Sequence, residues 1–490
     1  MNPSLYQFNT RALLASLGRG ATLDDIPDSF INDLARRGFD WAWPLGVWTI
    51  GATGQSISRS NTAWHREYEE TLPDLSLEDI CGSPFAVCEY AVDPSLGGDR
   101  ELAHLRERLE QRGIKLLLDF VPNHIGFDHR WVTQRPDFLM QGTEDDLSRA
   151  PDCWTRLPSG SVAAFGRDPN FPGWPDTLQL NFFNPHLRAA MIGELRAIAT
   201  RCSGVRCDMA MLLEPEVFRR TWEGRPESQL PLKESFWPEA ISSIRRDNPV
   251  FLFLGEVYWN YEERLQQHGF DFTYDKTLYD HLMHHRGEDV LRHLAAPSTN
   301  TFRMAHFLEN HDEQRVAARL EPAEHKAAAV ISFLAPGMRF LHHGETNGWK
   351  TRIPVHLGRG PSEVTDSDLQ QFYDRLISIM NSEAAKSGSW QLLHCNPAWD
   401  GNPTHSHFVA YYISHPSGDL LVAVNYANYQ SQCLVQLPKE AKLSGKIRLA
   451  DQLSSATYDR DSSELVDRGL YLDVEGFTAH IFSISGTIGL

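Results

Sequence analysis

The sequence predicts a (β/α)8 barrel of the TIM type with an insertion after its third strand and an antiparallel β-sandwich domain at its C-terminal end. Three observations predict it. Short apolar runs alternate with stretches of helical period up to about residue 387, and these runs number eight, the count that closes a parallel barrel. Regularity is lost between residues 125 and 185, where Pro, Gly, Asp and Trp are frequent and no period is visible. Beyond 388 come alternating runs separated by turn residues with no helix between them. The predicted division is therefore barrel over 1–124 and 186–387, inserted subdomain over 125–185, and β-sandwich over 388–490.

The first strand is SLYQFN (4–9), followed by a polar helix around 24–37 and a second strand, FDWAWPL (39–45). Leu102, Leu105 and Leu109 stand at helical spacing within 98–112, and IKLLLDF (114–120) is apolar enough to be buried on both faces of a parallel sheet. After the irregular stretch, Leu187, Met191, Leu195 and Ile198 line one helical face, and GVRCD (204–208) follows. Helices over 236–246 and 261–268 precede VFLFLGE (250–256) and FDFTYD (270–275) respectively. A helical stretch to about 295 leads to RMAHFLEN (303–310), and AAAVISFLA (327–335) to MRFLHH (338–343). A last helix lies near 367–381; then HFVAYYIS (407–414), DLLVAVNYA (419–427), QCLVQL (432–437) and GLYLDV (469–474) read as sandwich strands.

Three carboxylates close strand-like runs: Asp208 ends GVRCD, Glu256 ends FLFLGE, and Asp312 ends the NHD that follows RMAHFLE. The C-terminal ends of barrel strands all open onto one face, so these carboxylates are expected to converge there for acid/base and nucleophilic chemistry. Arg206 stands two residues before Asp208 and therefore projects to the same side of the strand, where its charge favours the ionised carboxylate.

Net charge is −18, too acidic for a surface that tracks phosphates by its overall field, so nucleic acid is excluded as a partner and a neutral ligand is favoured. No apolar run reaches membrane-spanning length, and MNPSLYQFNTRALL lacks the basic-then-apolar order of a secretory signal. The seven cysteines (81, 88, 153, 202, 207, 395, 433) include no CxxC pair, and their odd number fits a reducing compartment; a cytoplasmic location is expected. Cys207 has no flanking ligand and reads as a structural thiol, and His284–His285 and His342–His343 are adjacent pairs that point apart. The strand ends offer no His/Asp cluster with metal-ligand spacing.

On these motifs the chain resembles the α-amylase superfamily, glycoside hydrolase family 13. DFVPNH (119–124) resembles its first signature, GVRCD its second, GE (255–256) its third and NHD (310–312) its fourth, and the likeness runs through nearly the whole chain. The resemblance implies Asp208 as nucleophile, Glu256 as general acid/base and Asp312 as the carboxylate holding the distorted sugar. It also implies that Arg206 orients Asp208, that Asp119 braces Arg206, and that His124 and His311 bind hydroxyls of the sugar being cleaved. In GSPFAVCEY (82–90), Phe85 stands where relatives usually stack a Tyr on that sugar.

Retaining cleavage needs an ionised carboxylate to attack the anomeric carbon and a protonated acid to release the leaving oxygen, the two about 5–5.5 Å apart. The expected activity is that of a retaining α-glucoside hydrolase or transglucosidase acting on neutral α-linked gluco-oligosaccharides or disaccharides through a covalent glucosyl-Asp208. The alternative is a non-catalytic amylase-like module that binds carbohydrate or protein. Trp154, Phe171, Trp174, Trp222, Phe236, Trp237 and Trp259 fall in predicted loops on the catalytic side, suited to sugar faces. Met211 and Leu212 stand where many α-amylases carry Lys and His toward the leaving-group sugars, which points to a short-substrate enzyme or a transferase. No cofactor is expected, and calcium is not predicted: Asn123 belongs to the family's calcium-linked motif, but Gln179 in TLQLN (177–181) replaces a frequent acidic residue.

Overall fold

The structure is a computed structural model that describes residues 1–225, 232, 234–296, 300–439, 441 and 443–486. Eight parallel strands close a barrel: β1 (Ser4–Asn9), β2 (Trp41–Leu45), β3 (Lys115–Phe120), β4 (Gly204–Cys207), β5 (Leu252–Gly255), β6 (Phe272–Tyr274), β7 (Met304–His306) and β8 (Met338–His342). Each pairs with the next in chain order, and β8 returns to β1. The runs are almost wholly apolar because both faces are covered, by helices outside and by stacked side chains within. Trp43, Tyr274, Phe307 and Phe340 pack against one another as part of that filling. The predicted helix at 24–37 is in two parts, a single 3-10 turn at Leu23–Asp25 and a helix at Asp28–Arg36, because Pro27 cannot donate to a continuous ladder.

Two excursions rise from the C-terminal face. The one after β3 pairs His124–Gly126 antiparallel with Thr177–Gln179 and carries a small sheet of Gln141–Gly142, Val162–Ala164 and Trp154–Arg156. The other, between β2 and residue 97, pairs Trp48–Ile50 with Val87–Val92 and contains helices Ala52–Ser60 and Thr62–Thr71. This second excursion leaves no trace in the hydrophobic pattern, since the first helix buries only Gly54 and Ser58 and the second only Tyr68 and Thr71.

Beyond the barrel, a six-stranded antiparallel sheet faces a three-stranded one made of Cys395–Pro397, Ser431–Val435 and Leu470–Val474. Between them lies a separate apolar core containing Phe408, Leu421, Cys433, Leu449 and Phe482. Tyr411 and Tyr426 tie this unit to the barrel helices, their hydroxyls donating to the carbonyls of Val330 and Leu282 at 2.9 Å each. No helix among the described residues is long and apolar enough to cross a membrane.

Candidate active site

Asp208 and Glu256 directly follow β4 and β5, which pair in register (Arg206 opposite Leu254, Cys207 opposite Gly255), so the two carboxylates emerge side by side. Arg206, 1% exposed, lies between them. Its Nη1 donates to Asp208 Oδ1 at 2.7 Å and its Nη2 to Glu256 Oε2 at 2.7 Å, while Asp119 Oδ1 is 3.7 Å from Nη1. Asp119 in turn accepts from Trp43 Nε1 at 3.2 Å and from the Gly46 amide at 3.1 Å. The guanidinium also sits over the rings of Trp43 and Phe85, 5.4 and 5.3 Å from their centroids. One buried cation thus serves three carboxylates, a geometry that needs the planar fork of arginine.

Glu256 has further partners that its sequence motif does not reveal. The Met209 amide donates to Oε2 at 2.7 Å, and the Tyr258 hydroxyl donates to Oε1 at 2.7 Å. Met209 has φ 43 and ψ 46, the left-handed region that a non-glycine residue occupies at a cost of about 1–3 kcal/mol. That conformation turns its amide toward Glu256. Tyr258 was within reach of sequence reasoning, since a residue two after Glu256 in extended chain projects to the same side.

Burial pushes the Glu256 carboxyl above the usual carboxylate range against the pull of Arg206, and the charges of Asp208 and Asp312 add to the rise. The Met209 amide opposes that rise; burial raises Asp208 as well, against the charge and hydrogen bond of Arg206 and with the charge of Asp312 adding to the rise. Burial also raises Asp119 to about 6 and lowers His124 to about 4 and His311 to about 3, so both imidazoles are neutral at neutral pH.

Asp312 stands six residues past β7 with its side chain 45% exposed, and its Oδ2 is 3.1 Å from His311 Nε2. His311 is held from behind by Gln7, whose Nε2 is 2.8 Å from Nδ1, and its ring lies 5.3 Å from that of Phe85. His124 begins the insertion hairpin and packs against Trp174 at 5.0 Å. Asp208, Glu256, Asp312, Phe85 and His124 line one cavity of about 320 Å³ together with Met209, Tyr258, Trp174, Asp176, Trp64 and His356. Arg206 and Asp119 lie beneath its floor.

The aromatic expectation needs correction. Trp222, Phe236 and Trp237 are fully buried and Trp154 is buried; these rings pack the insertion and the helices under it, as the Trp154–Trp222 and Phe236–Trp237 pairs show. Phe171 and Trp259 are exposed but do not line the cavity, and of the seven only Trp174 does. Met211 and Leu212 are also buried, in the 3-10 turn Ala210–Leu213, so Met209 is the apolar side chain beside Asp208 in the cavity.

The insertion hairpin also bears on calcium. Gln179 Nε2 donates to the Asn123 carbonyl at 2.9 Å, to Asn123 Oδ1 at 3.0 Å and to the Leu180 carbonyl at 3.1 Å. An amide N–H occupies the focus of three oxygens that a hard cation would need, so these residues do not fit a calcium ion. Among the described residues no group of three or more His, Cys, Asp or Glu could hold a metal.

The family model described as "Alpha amylase, catalytic domain" matches residues 88–391, more than half of the chain. The chain belongs to the α-amylase family. This α-amylase family member is 23% identical over 311 residues to "Alpha-amylase 3" of Dictyoglomus thermophilum, covering 58% of the chain and 57% of that protein. It is 24% identical over 312 residues to an intracellular maltogenic amylase of Bacillus subtilis, covering 60% of the chain and 48% of the relative. The chain therefore spans about half the length of these curated relatives. Among solved structures, a maltogenic α-amylase from Thermotoga neapolitana superposes with a TM-score of 0.70 at 17% identity, covering 98% of each chain. The trehalulose synthase MutB from Pseudomonas mesoacidophila gives 0.67 or 0.66 in different crystals at 16% identity over 99% of each chain. At such identities these likenesses speak for the fold.

Proposed function

We propose that this α-amylase family chain is a retaining α-glucoside hydrolase or transglucosidase acting on neutral α-linked gluco-oligosaccharides or disaccharides in the cytoplasm. The observation that carries this is Arg206 bridging Asp208 and Glu256 at 2.7 Å each at the floor of the cavity. A single guanidinium fork favours the close carboxylate spacing of retaining enzymes, about 5–5.5 Å, over the wider gap of about 6.5–9.5 Å that inverting enzymes leave for water. The seven cysteines are all free thiols, which fits a reducing compartment.

Asp208 attacks the anomeric carbon as the C–O bond to the leaving sugar breaks, and Glu256 gives its proton to the departing oxygen. Oε2 of Glu256 already accepts two N–H donors, so the proton sits on Oε1, where the Tyr258 hydroxyl rotates to accept it. In the second step Glu256, now ionised, takes a proton from water or a sugar hydroxyl, which attacks the glucosyl-Asp208 ester and frees Asp208. Two inversions give an α product. Arg206 holds Asp208 ionised, and neutral His124 and His311 offer hydrogen bonds to sugar hydroxyls. The relatives named α-amylase and maltogenic amylase support the glucoside hydrolase reading, and transfer differs from hydrolysis only in what attacks the same intermediate.

Asp208→Asn and Glu256→Gln are each expected to lower turnover of an α-glucoside by at least about a thousandfold while the protein stays folded. Early NMR spectra of wild-type digests of maltose, maltooligosaccharides, isomaltose, sucrose and trehalose are expected to show the α anomer first. Near-wild-type rates in either variant, or a β anomer as primary product, would refute the mechanism.

A further inference from the structure

Behind the catalytic carboxylates the cavity carries a wall assembled from three segments remote in sequence. Trp64 comes from the helix Thr62–Thr71 of the excursion after β2, Asp176 from the insertion hairpin, and His356 from the loop after β8. The His356 ring stacks on Trp64 with centroids 4.3 Å apart and planes 23° apart. A tight turn closed by the Thr177 amide and hydroxyl on the Trp174 carbonyl, at 3.1 and 2.9 Å, sets Asp176 at its corner. This turn leads into the strand that pairs with His124–Gly126, so Asp176 and Trp174 stand beside His124.

The wall is built and not a chance meeting of loops. Tyr68, Leu72, Ile80 and Leu357 form a small apolar core beneath it. The Cys81 amide donates to the His356 carbonyl at 2.9 Å, the Gly358 amide to the Asp79 carbonyl at 2.8 Å, and Arg359 grips Asp79 through two hydrogen bonds of 2.8 Å. These bonds hold the last barrel loop down on the excursion after β2.

Asp176 is the anomaly in it. Asp176 is 3% exposed, its Oδ2 accepts no hydrogen bond, and His356 Nε2 stands 3.6 Å from that oxygen. A buried carboxylate left without donors is costly, and such a group in a ligand cavity is satisfied when the ligand brings the donors. Sugar hydroxyls are such donors, and hydrogen bonds to a charged acceptor are the strong ones.

We propose that Asp176 and His356, backed by Trp64, bind the hydroxyls of the terminal glucosyl unit and close the cavity at its non-reducing end, so that the enzyme removes or transfers one glucosyl unit at a time. This rests on the retaining glucosidase reading above, in which the leaving sugar lies on the side of Glu256 and the far hydroxyls lie toward His124 and this wall. The volume agrees: about 320 Å³ is at the low end of small-molecule sites, which run from about 300 to 1,000 Å³.

The test compares p-nitrophenyl α-D-glucoside with its 4-deoxy and 6-deoxy analogues on wild type, Asp176→Ala, Asp176→Asn, His356→Ala and His356→Gln. Wild type is expected to lose on the order of 10- to 100-fold in kcat/KM on at least one analogue, the range set by a hydrogen bond to a charged group. In Asp176→Ala that penalty is expected to shrink to within about threefold, because the missing hydroxyl no longer has an anionic partner. His356→Gln is expected to retain more of the discrimination than His356→Ala. Wild type indifferent to both analogues, or an Asp176→Ala that slows every substrate in one proportion, overturns the proposal, since a merely structural residue would act that way.

A maltooligosaccharide aryl glycoside blocked at its non-reducing end is expected to be cut at least 100-fold more slowly than the unblocked one, and equal cutting overturns the closed end. Turnover of the unblocked compound reports on the glycosidase reading itself. The deoxy ratios read as dissociation constants by ligand-observed NMR decide the role of Asp176 without any turnover.

Discussion

Arg206 is the residue on which the site depends. It donates to Asp208 and Glu256, lies 3.7 Å from Asp119, and is itself sandwiched between Trp43 and Phe85. Removing one member of a buried ion network leaves charges without compensation, at a cost of about 3–5 kcal/mol. Arg206→Met is therefore expected to lower unfolding free energy by that amount in urea titrations, with the loss growing as pH rises and the carboxylates ionise. Arg206→Lys keeps the charge but has no fork, so a fold near wild-type stability with a loss of more than about a hundredfold in kcat is expected. If the methionine variant proved as stable as wild type across pH 5 to 8, the carboxylates would have to be neutral in the native protein. Much of this was legible beforehand, because Arg206 and Asp208 are neighbours on one strand. The second bond, to Glu256 fifty residues on, follows only from the register of β4 with β5.

At the scale of the element, the hairpin of His124–Gly126 and Thr177–Gln179 bears on calcium. The Gln179 amide lies within hydrogen-bond distance of the Asn123 carbonyl and side-chain oxygens and of the Leu180 carbonyl, and the Asn123 amide is 3.3 Å from Gln179 Oε1. Chelators are accordingly expected to leave both activity and Tm nearly unchanged. A fall of more than about ten degrees in EDTA, restored by added calcium, would show that a stabilising ion binds there after all. Gln179→Ala is expected to cost about 1–3 kcal/mol, since it leaves these buried oxygens without a donor. The missing carboxylate at Gln179 was legible in the sequence. It could not show that the amide takes over the cation's place, because that depends on two strands whose pairing spans the whole insertion.

The whole molecule carries an acid-sensitive set of buried imidazoles. Burial lowers His124, His129 and His343 to about 4, and His311 and His325 to about 3. In the unfolded chain these groups bind protons below about 6.5. Between 6.5 and 4 these imidazoles bind more protons in the unfolded state than in the native one, so their share of the stability rises with pH across that window, while buried Asp119, raised to about 6, acts in the opposite sense. Urea titrations between about pH 6.5 and 4 read the imidazole share as the difference between wild type and a variant that lacks one ring. His325→Gln, which keeps a hydrogen-bonding group toward the Tyr373 hydroxyl at 2.9 Å, is expected to lose less stability than wild type as pH falls from about 6.5 to 4, with turnover near wild type. A pH dependence identical in His325→Gln and wild type would contradict neutral burial of this ring.

By itself the sequence determined the barrel, the sandwich and the carboxylates. Strand and helix periods are local properties, and a run such as KLLLDF or LFLG is buried on both faces wherever the sheet lies; motif residues at strand ends inherit their common face from the barrel. Only the tertiary structure decided which aromatics meet the cavity. Trp237 and Trp174 both sit in loop-like sequence, yet the first donates from its indole to the Ala210 carbonyl inside the core and the second lines the site. The polar helices after β2 left no periodic signal, and with them Trp64 was invisible. The wall of Trp64, Asp176 and His356 exists because three excursions from different barrel strands fold over one another. Such meetings are set by long-range packing, which no window of local sequence encodes.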